Sequence, residues 1–443
     1  MQVQTRYSDI WKIALPVILG GVSQTIINVT DTLFLGRLSE TALGASAIGG
    51  VFFFVLYMVG LGFTQGMQIL IARKTGEQKD EEIGPLFSQG AYLVALLSCV
   101  LLVFLIGFAK PLMGLIIRDP KVLEALLTFI KYRTPGLLFA LFVLQCRAFC
   151  IGIGNTKPIS WNMAVMAIVN LVFNALLVFG KGGFPAMGIA GSALASSIAE
   201  FAGAFLFLIY IARNKKMRTF GLLRYRPLQL DIIKRLTNLS LPIVFQNFSA
   251  LAGWLVFFLV IEKTGERNLA VSNILRSLLF ILMTPVWGFF AAANTMVSNV
   301  IGQGKNEEVM PLVKKICTLS FSISMILSLL HLLFPRLIIQ LFTSDAALAD
   351  YAIGPLYLIC AASVLFSVGG IFLGAVSGTG NTKVSMVIEF TSMLCYLGYI
   401  LFIYTRDNAS IEFYWTTEGY YWLFIGSLSF LYLRSGKWKG KTI

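Results

Sequence analysis

Charge is what this chain has least of. Asp, Glu, Lys and Arg make up 13% of its 443 residues, about half the share of an ordinary soluble domain. So few charges cannot cover the two or three soluble domains that length alone suggests. Disorder is excluded as well, because 57% of the residues are hydrophobic and 36 are Phe. Histidine is nearly missing, with His331 the sole copy, which excludes multi-histidine metal centres. The six cysteines lie in apolar runs without a Cys-x-x-Cys pair and read as packing residues. No Walker-type Gly-x-x-x-x-Gly-Lys-[Ser/Thr] loop occurs, which argues against an ATP-driven pump. What remains is a polytopic membrane protein. Its 35 basic against 21 acidic residues, a net charge of +14, then mark loop topology rather than nucleic acid.

A helix needs roughly 20 apolar residues to cross the hydrocarbon core. Twelve segments meet that length, near 8–36, 43–73, 85–117, 123–153, 158–180, 186–212, 231–262, 269–301, 311–342, 350–378, 384–405 and 419–434. The first is too long and too polar, with Gln24, Asn28 and Asp31, to be a signal peptide. The loops on the side of both termini hold 22 Lys and Arg, against 11 on the other. Arg147 and Arg276 are the two counted inside spans. The positive-inside rule therefore predicts a multi-pass protein of the cell (inner) membrane with both termini cytoplasmic.

The chain repeats itself. Gly152-Ile-Gly-Asn-Thr-Lys157 matches Gly378-Thr-Gly-Asn-Thr-Lys383 at five of six positions, at an offset of 226. The same offset aligns Leu15-Pro16 with Leu241-Pro242, Gly62 with Gly288, Gly76 with Gly302 and Asp119 with Asp345. This predicts an all-α fold of two six-helix bundles, related by a pseudo-twofold axis along the membrane normal. The expected domains are residues 1–212, a cytoplasmic connector at 213–230, and 231–443. The repeated Gly-x-Gly-Asn-Thr-Lys reads as structural. Its glycines end spans four and ten, and Asn or Thr cap the helices that follow.

In order and spacing these elements resemble the multidrug and toxic compound extrusion (MATE) family of transporters over nearly the whole chain. The shared features are Ala14-Leu-Pro-Val17 and Ser240-Leu-Pro-Ile243, Asn28-Val-Thr-Asp-Thr-Leu-Phe-Leu-Gly36, the Gly-Asn-Thr-Lys repeats, and Asn170-Leu-Val-Phe-Asn-Ala-Leu-Leu-Val-Phe-Gly180. The resemblance implies a MATE-like fold and proton or sodium coupling at Asp31. It carries over no C-terminal sodium site, since no carboxylate lies between Pro242 and Ser249. The major facilitator fold is disfavoured because Arg73-Lys-Thr-Gly-Glu-Gln-Lys-Asp-Glu-Glu82 does not fit its loop between spans two and three.

Charge within hydrocarbon is costly, so ionisable residues inside spans are candidates for function. Asp31 leads. Gln24, Asn28 and Asp31 follow i, i+4, i+7 spacing, one stripe of span one. Asp31 has no carboxylate partner in the repeat, where Phe257 stands instead. Asn170 and Asn174, one turn apart on span five, can face it, with Ser196 on span six a neighbour. Glu200, Glu389, Arg276 and Arg147 carry no net charge between them. Ion pairs such as Arg276 with Glu389 are expected, with attraction of a cationic substrate by Glu200 or Glu389 as the alternative. Gln24, Glu200, Glu389 and Arg276 are the candidate lining of a substrate cavity. His331 reads as a packing residue.

The expected activity is secondary antiport: export of organic, cationic or amphipathic compounds, driven by proton or sodium entry through Asp31. The rivals are a lipid-linked oligosaccharide flippase of related architecture, which needs a more cationic cavity, and a membrane-embedded transferase, which needs a catalytic His or carboxylate pair. No enzymatic activity, resident metal or cofactor is expected beyond the coupling proton or a sodium at Asp31. The expected partners are small molecules and the lipid bilayer, not nucleic acid, with the chain acting as a monomer.

Overall fold

Backbone amides cannot reach water inside a bilayer, so a spanning chain with these apolar runs must satisfy them within helices. The computed structural model describes residues 3–406, 409–441 and 443; among these there is no strand. Twelve long helices follow one another there: α1 Tyr7–Gly36, α2 Glu40–Gly76, α3 Asp80–Ile116, α4 Pro120–Gly152, α5 Lys157–Phe179, α6 Ile189–Arg213, α7 Leu230–Lys263, α8 Glu266–Gly302, α9 Val309–Leu333, α10 Ile353–Gly378, α11 Thr382–Tyr404 and α12 Ile411–Arg434. The expected all-α, twelve-helix architecture is present. Helices α2, α3 and α8 have 37 residues each. At 1.5 Å per residue that is about 55 Å, well beyond a core of ~30 Å, so they tilt or project from it.

Two boundaries differ most from the sequence reading. The ninth span, expected over 311–342, stops at Leu333. Phe334 leaves helical geometry (φ −127°, ψ 49°) and Pro335 opens a separate short helix, Pro335–Gln340. Proline lacks the amide needed to continue the ladder. The twelfth helix begins at Ile411 rather than 419. Its first half, Ile411-Glu-Phe-Tyr-Trp-Thr-Thr-Glu418, is too polar to register as hydrophobic. Ser410 starts it by accepting from the Phe413 amide.

The chain forms two compact units. One comprises Met1–Ile18, Gly76–Gln78 and Leu241–Ile443; the other comprises Leu19–Thr75 and Lys79–Ser240. Within the second, α4 packs against α3 and α6, and α5 against α6. Within the first, α10 packs against α8, α9 and α12, and α11 against α12. Close approach requires glycine at Gly66, where a Cβ would lie 2.1 Å from Ser240 Oγ. Ser240 itself donates to Phe63 O at 2.9 Å.

The basic connector is tied to α3. Gln89 donates to Pro227 O at 2.9 Å and accepts from the Gln229 amide at 3.1 Å, and Tyr92 donates to Arg226 O at 2.7 Å. Met217, Phe220 and Leu222 bury their side chains beneath it. The repeated glycine motif behaves partly as expected. Gly154 (φ 70°) and Gly380 (φ 87°) take the left-handed conformation that follows a helix end. The expected side-chain caps are not formed. Instead Asn155 donates to the Tyr210 hydroxyl, and Asn381 to that of Tyr432. Tyrosine out-competes the backbone because α6 and α12 bring a phenol to each asparagine.

Candidate ion site in the membrane

Three helices of one unit assemble around Asp31. Helix α1 turns Asp31 inward five residues before its end at Gly36. Helix α5 supplies Asn170 and Asn174, whose i, i+4 spacing stacks them on one face. Helix α6 supplies Ser196. Asn174 Nδ2 donates to Asp31 Oδ1 at 2.7 Å and Asn170 Nδ2 to the same oxygen at 3.2 Å. Ser196 Oγ donates to Asp31 Oδ2 at 3.0 Å and accepts from Asn170 Nδ2 at 3.1 Å. Both asparagines are fully buried, while Asp31 is only half-buried. Their Oδ1 atoms are buried without a hydrogen-bond partner. Asp31 thus meets three donors, an arrangement that stabilises a carboxylate, next to two unused amide oxygens that can accept a proton's hydrogen bond or ligate a cation.

The other expected members lie elsewhere. Gln24 donates to Asn28 Oδ1 at 3.3 Å on an exposed face of α1. Asn28 makes no hydrogen bond to Asp31 among the described residues, so the predicted stripe splits after its first two positions. Three residues along α1 leave Asp31 about 60° around the helix from Asn28, at 3.6 residues per turn, and there it meets the asparagines of α5.

Glu200 is one turn from Ser196 on α6 and pairs with Arg133 of α4. Both guanidinium nitrogens donate to its carboxylate, each at 2.5 Å. The guanidinium also stacks over Phe53 at 5.3 Å. Gly136 makes room for the pair, since a Cβ there would lie 2.4 Å from Glu200 Oε2. The sequence reading passes over Arg133, which lies in the span at 123–153 but is counted with the charges at helix ends. Its pairing leaves no signal either, because partners on different helices have no spacing pattern. Arg147 has a different neighbour, donating to the Tyr57 hydroxyl at 3.3 Å.

In the other unit the expected Arg276–Glu389 pair is not formed. Arg276 lies over the Phe258 ring at 5.1 Å. Glu389 is buried and accepts from the Tyr421 hydroxyl. A second buried carboxylate accompanies it: Glu418 of α12 accepts from Tyr396 of α11 at 3.1 Å. Reading α12 as starting at 419 left Glu418 outside the membrane by one residue. His331 is buried on α9, its Nδ1 2.8 Å from Leu327 O.

A helical membrane transporter built from two related repeats, with a carboxylate held among its helices, is the class this fold and site define. The MatE family profile matches residues 16–176 and again 242–401. The two matches begin 226 residues apart, the offset of the sequence repeat. The chain belongs to the MatE family. It is 24% identical over 438 residues to a probable multidrug resistance protein NorM of Thermotoga maritima, covering 98% of this chain and 94% of that one. A protein of the same description from Pasteurella multocida is 26% identical over 390 residues, 87% and 82% of the two chains. Solved structures share the fold. An outward-facing multidrug resistance MATE family transporter of the MOP superfamily superposes with a TM-score of 0.90 at 17% identity, over 98% of this chain and 96% of that one. A MOP superfamily transporter from Pyrococcus furiosus, described by the reverse polarity of its binding pocket, gives 0.88 at 17% identity, over 96% and 95%.

Proposed function

We propose that this protein is a secondary active exporter of organic, cationic or amphipathic compounds across the cell membrane, with both termini in the cytoplasm and entry of a proton or sodium ion through Asp31 as the driving step. The observation that carries this reading is the set of three donors from α5 and α6 around a single half-buried carboxylate of α1. The multidrug resistance relatives supply the substrate class.

The chemistry of a cycle follows from the side chains. Charged Asp31 accepts from Asn170, Asn174 and Ser196. Protonation of Oδ1 turns that oxygen into a donor and makes it a much weaker acceptor for Asn174. An amide rotated by half a turn would offer Oδ1 instead, so one proton changes the bond between α1 and α5. A sodium ion would use the same carboxylate with the two amide oxygens, all hard oxygen ligands. Either event alters how α1 is held to α5 and α6, and the two repeats then interconvert between inward and outward access.

The test is export of a cationic dye from vesicles under an imposed proton or sodium gradient. Asp31→Asn should abolish gradient-driven export while leaving dye binding in place. Export that continues unchanged in this variant rejects Asp31 as the coupling group. A wild type that moves no dye but moves a lipid-linked sugar replaces the exporter reading with a flippase.

A further inference from the structure

The two copies of the Gly-Asn-Thr-Lys motif have different neighbours. In the second copy the chain covers its own motif. Lys441 donates to Asn381 Oδ1, and Ile443 lies where a Cβ on Gly380 would meet it at 2.6 Å. In the first copy the corresponding end of α5 and α6 is an open groove of about 810 Å³. Its rim carries Lys157, the first residue of α5, and Arg213, the last of α6; both are exposed. Neither takes part in an ion pair among the described residues. Asn155 and Tyr210 form the polar floor through their 2.9 Å bond. One turn along α5, Trp161 is 77% exposed. Beyond it the walls become apolar at Val165, Leu206 and Phe207.

This gradient of chemistry runs along the helices from two cations, through an amphipathic indole, to hydrocarbon. A phospholipid has the same order from phosphate to acyl chain. Basic residues beside an interfacial aromatic are the chemistry that recognises an anionic headgroup. We propose that the groove between the Lys157 end of α5 and the Arg213 end of α6 binds an anionic phospholipid. The phosphate sits between the two cations and an acyl chain lies along Trp161, Val165 and Leu206. The site is separate from Asp31 and does not depend on the transport reading. In the second repeat the protein's own Lys441 and Ile443 supply a cation and an apolar side chain to the matching place.

The experiment is native mass spectrometry of the full-length protein in detergent, titrated with dioleoyl phosphatidylglycerol or dioleoyl phosphatidylcholine. The wild type should bind the anionic lipid more tightly. Each neutralised cation should weaken that binding about fivefold, and the Lys157→Gln/Arg213→Gln double variant about 25-fold, from the usual attraction per basic residue at a membrane surface. Lys383→Gln, the repeat counterpart of Lys157, should leave it unchanged. Equal affinity for the two lipids, or equal loss in Lys383→Gln, overturns the proposal. A second readout needs no charge variant. Brominated phosphatidylglycerol should quench tryptophan fluorescence more in the wild type than in Trp161→Phe. Equal quenching also overturns it.

Discussion

Carboxylates are buried in both units, but their surroundings differ. Asp31 is half-buried, accepts from two amides and one hydroxyl, and lies beside two unused amide oxygens. Glu389 and Glu418 are almost fully buried, each accepting from one tyrosine of the neighbouring helix. Amides can exchange donor for acceptor by rotation; a phenol held between packed rings has less freedom to do so. Tyr396 and Tyr421 pack at a tilt of 59° with centroids 5.4 Å apart, and Phe257 packs on both Tyr396 and Trp415. The difference separates a carboxylate with unused acceptors beside it from two that each link α11 to α12 through one tyrosine.

The largest effect expected on this contrast comes from its borderline member, Glu200. It shares α6 with Ser196 yet is locked to Arg133. Arg133→Ala would leave a buried carboxylate without its cation and should destabilise the protein by about 3–5 kcal/mol, since a broken buried pair costs more than the pair contributes. Replacing both, as Arg133→Met/Glu200→Leu, should recover most of that loss. Thermal unfolding in detergent reads both. If the single variant melts like the wild type, the pair is not structural, and Glu200 returns as a candidate for substrate contact.

Next in size is the tyrosine pair. Tyr421→Phe removes the one donor to Glu389 and should cost about 1–3 kcal/mol of stability, the range for a buried group left unsatisfied. Glu389→Gln can still accept from Tyr421, so it should retain gradient-driven export, unlike Asp31→Asn. Loss of export in Glu389→Gln with normal folding would erase the distinction between the two units.

Much of this was legible in the sequence, and the boundary of what was legible is physical. The twelve spans follow from apolar length. The repeat follows from one ungapped offset, now matched by two family segments with the same spacing. The Asp31, Asn170, Asn174 and Ser196 cluster could be anticipated because each residue is polar where a helix should be apolar, and i, i+4 spacing fixes a shared face. Arg133 with Glu200 could not, because pairing between α4 and α6 depends on rotation and on the absent side chain of Gly136. Glu418 was lost for another reason: a helix that buries its polar first half against its own unit does not look hydrophobic. Asn155 and Asn381 were assigned to the nearest backbone because the partner tyrosines are about 50 residues away.

The smallest effect tests whether the repeats remain interchangeable outside the membrane. Asp119 and Asp345, equivalent at the offset of 226, both cap helices. Asp119 accepts from the Lys121 amide at 2.8 Å at the start of α4. Asp345 accepts from Ala347 and Leu348, at 2.8 and 3.2 Å, at the start of the six-residue helix Ala346–Tyr351. Losing a capping side chain costs about 1 kcal/mol. Asp119→Ala should transmit that loss to global unfolding, because α4 packs against both α3 and α6. Asp345→Ala breaks two bonds but frees only a short helix, so its effect should appear as faster local hydrogen exchange over 346–351 with the midpoint of unfolding hardly moved. Equal shifts in the unfolding midpoint would mean that the short helix is as integral to its unit as α4 is to its own.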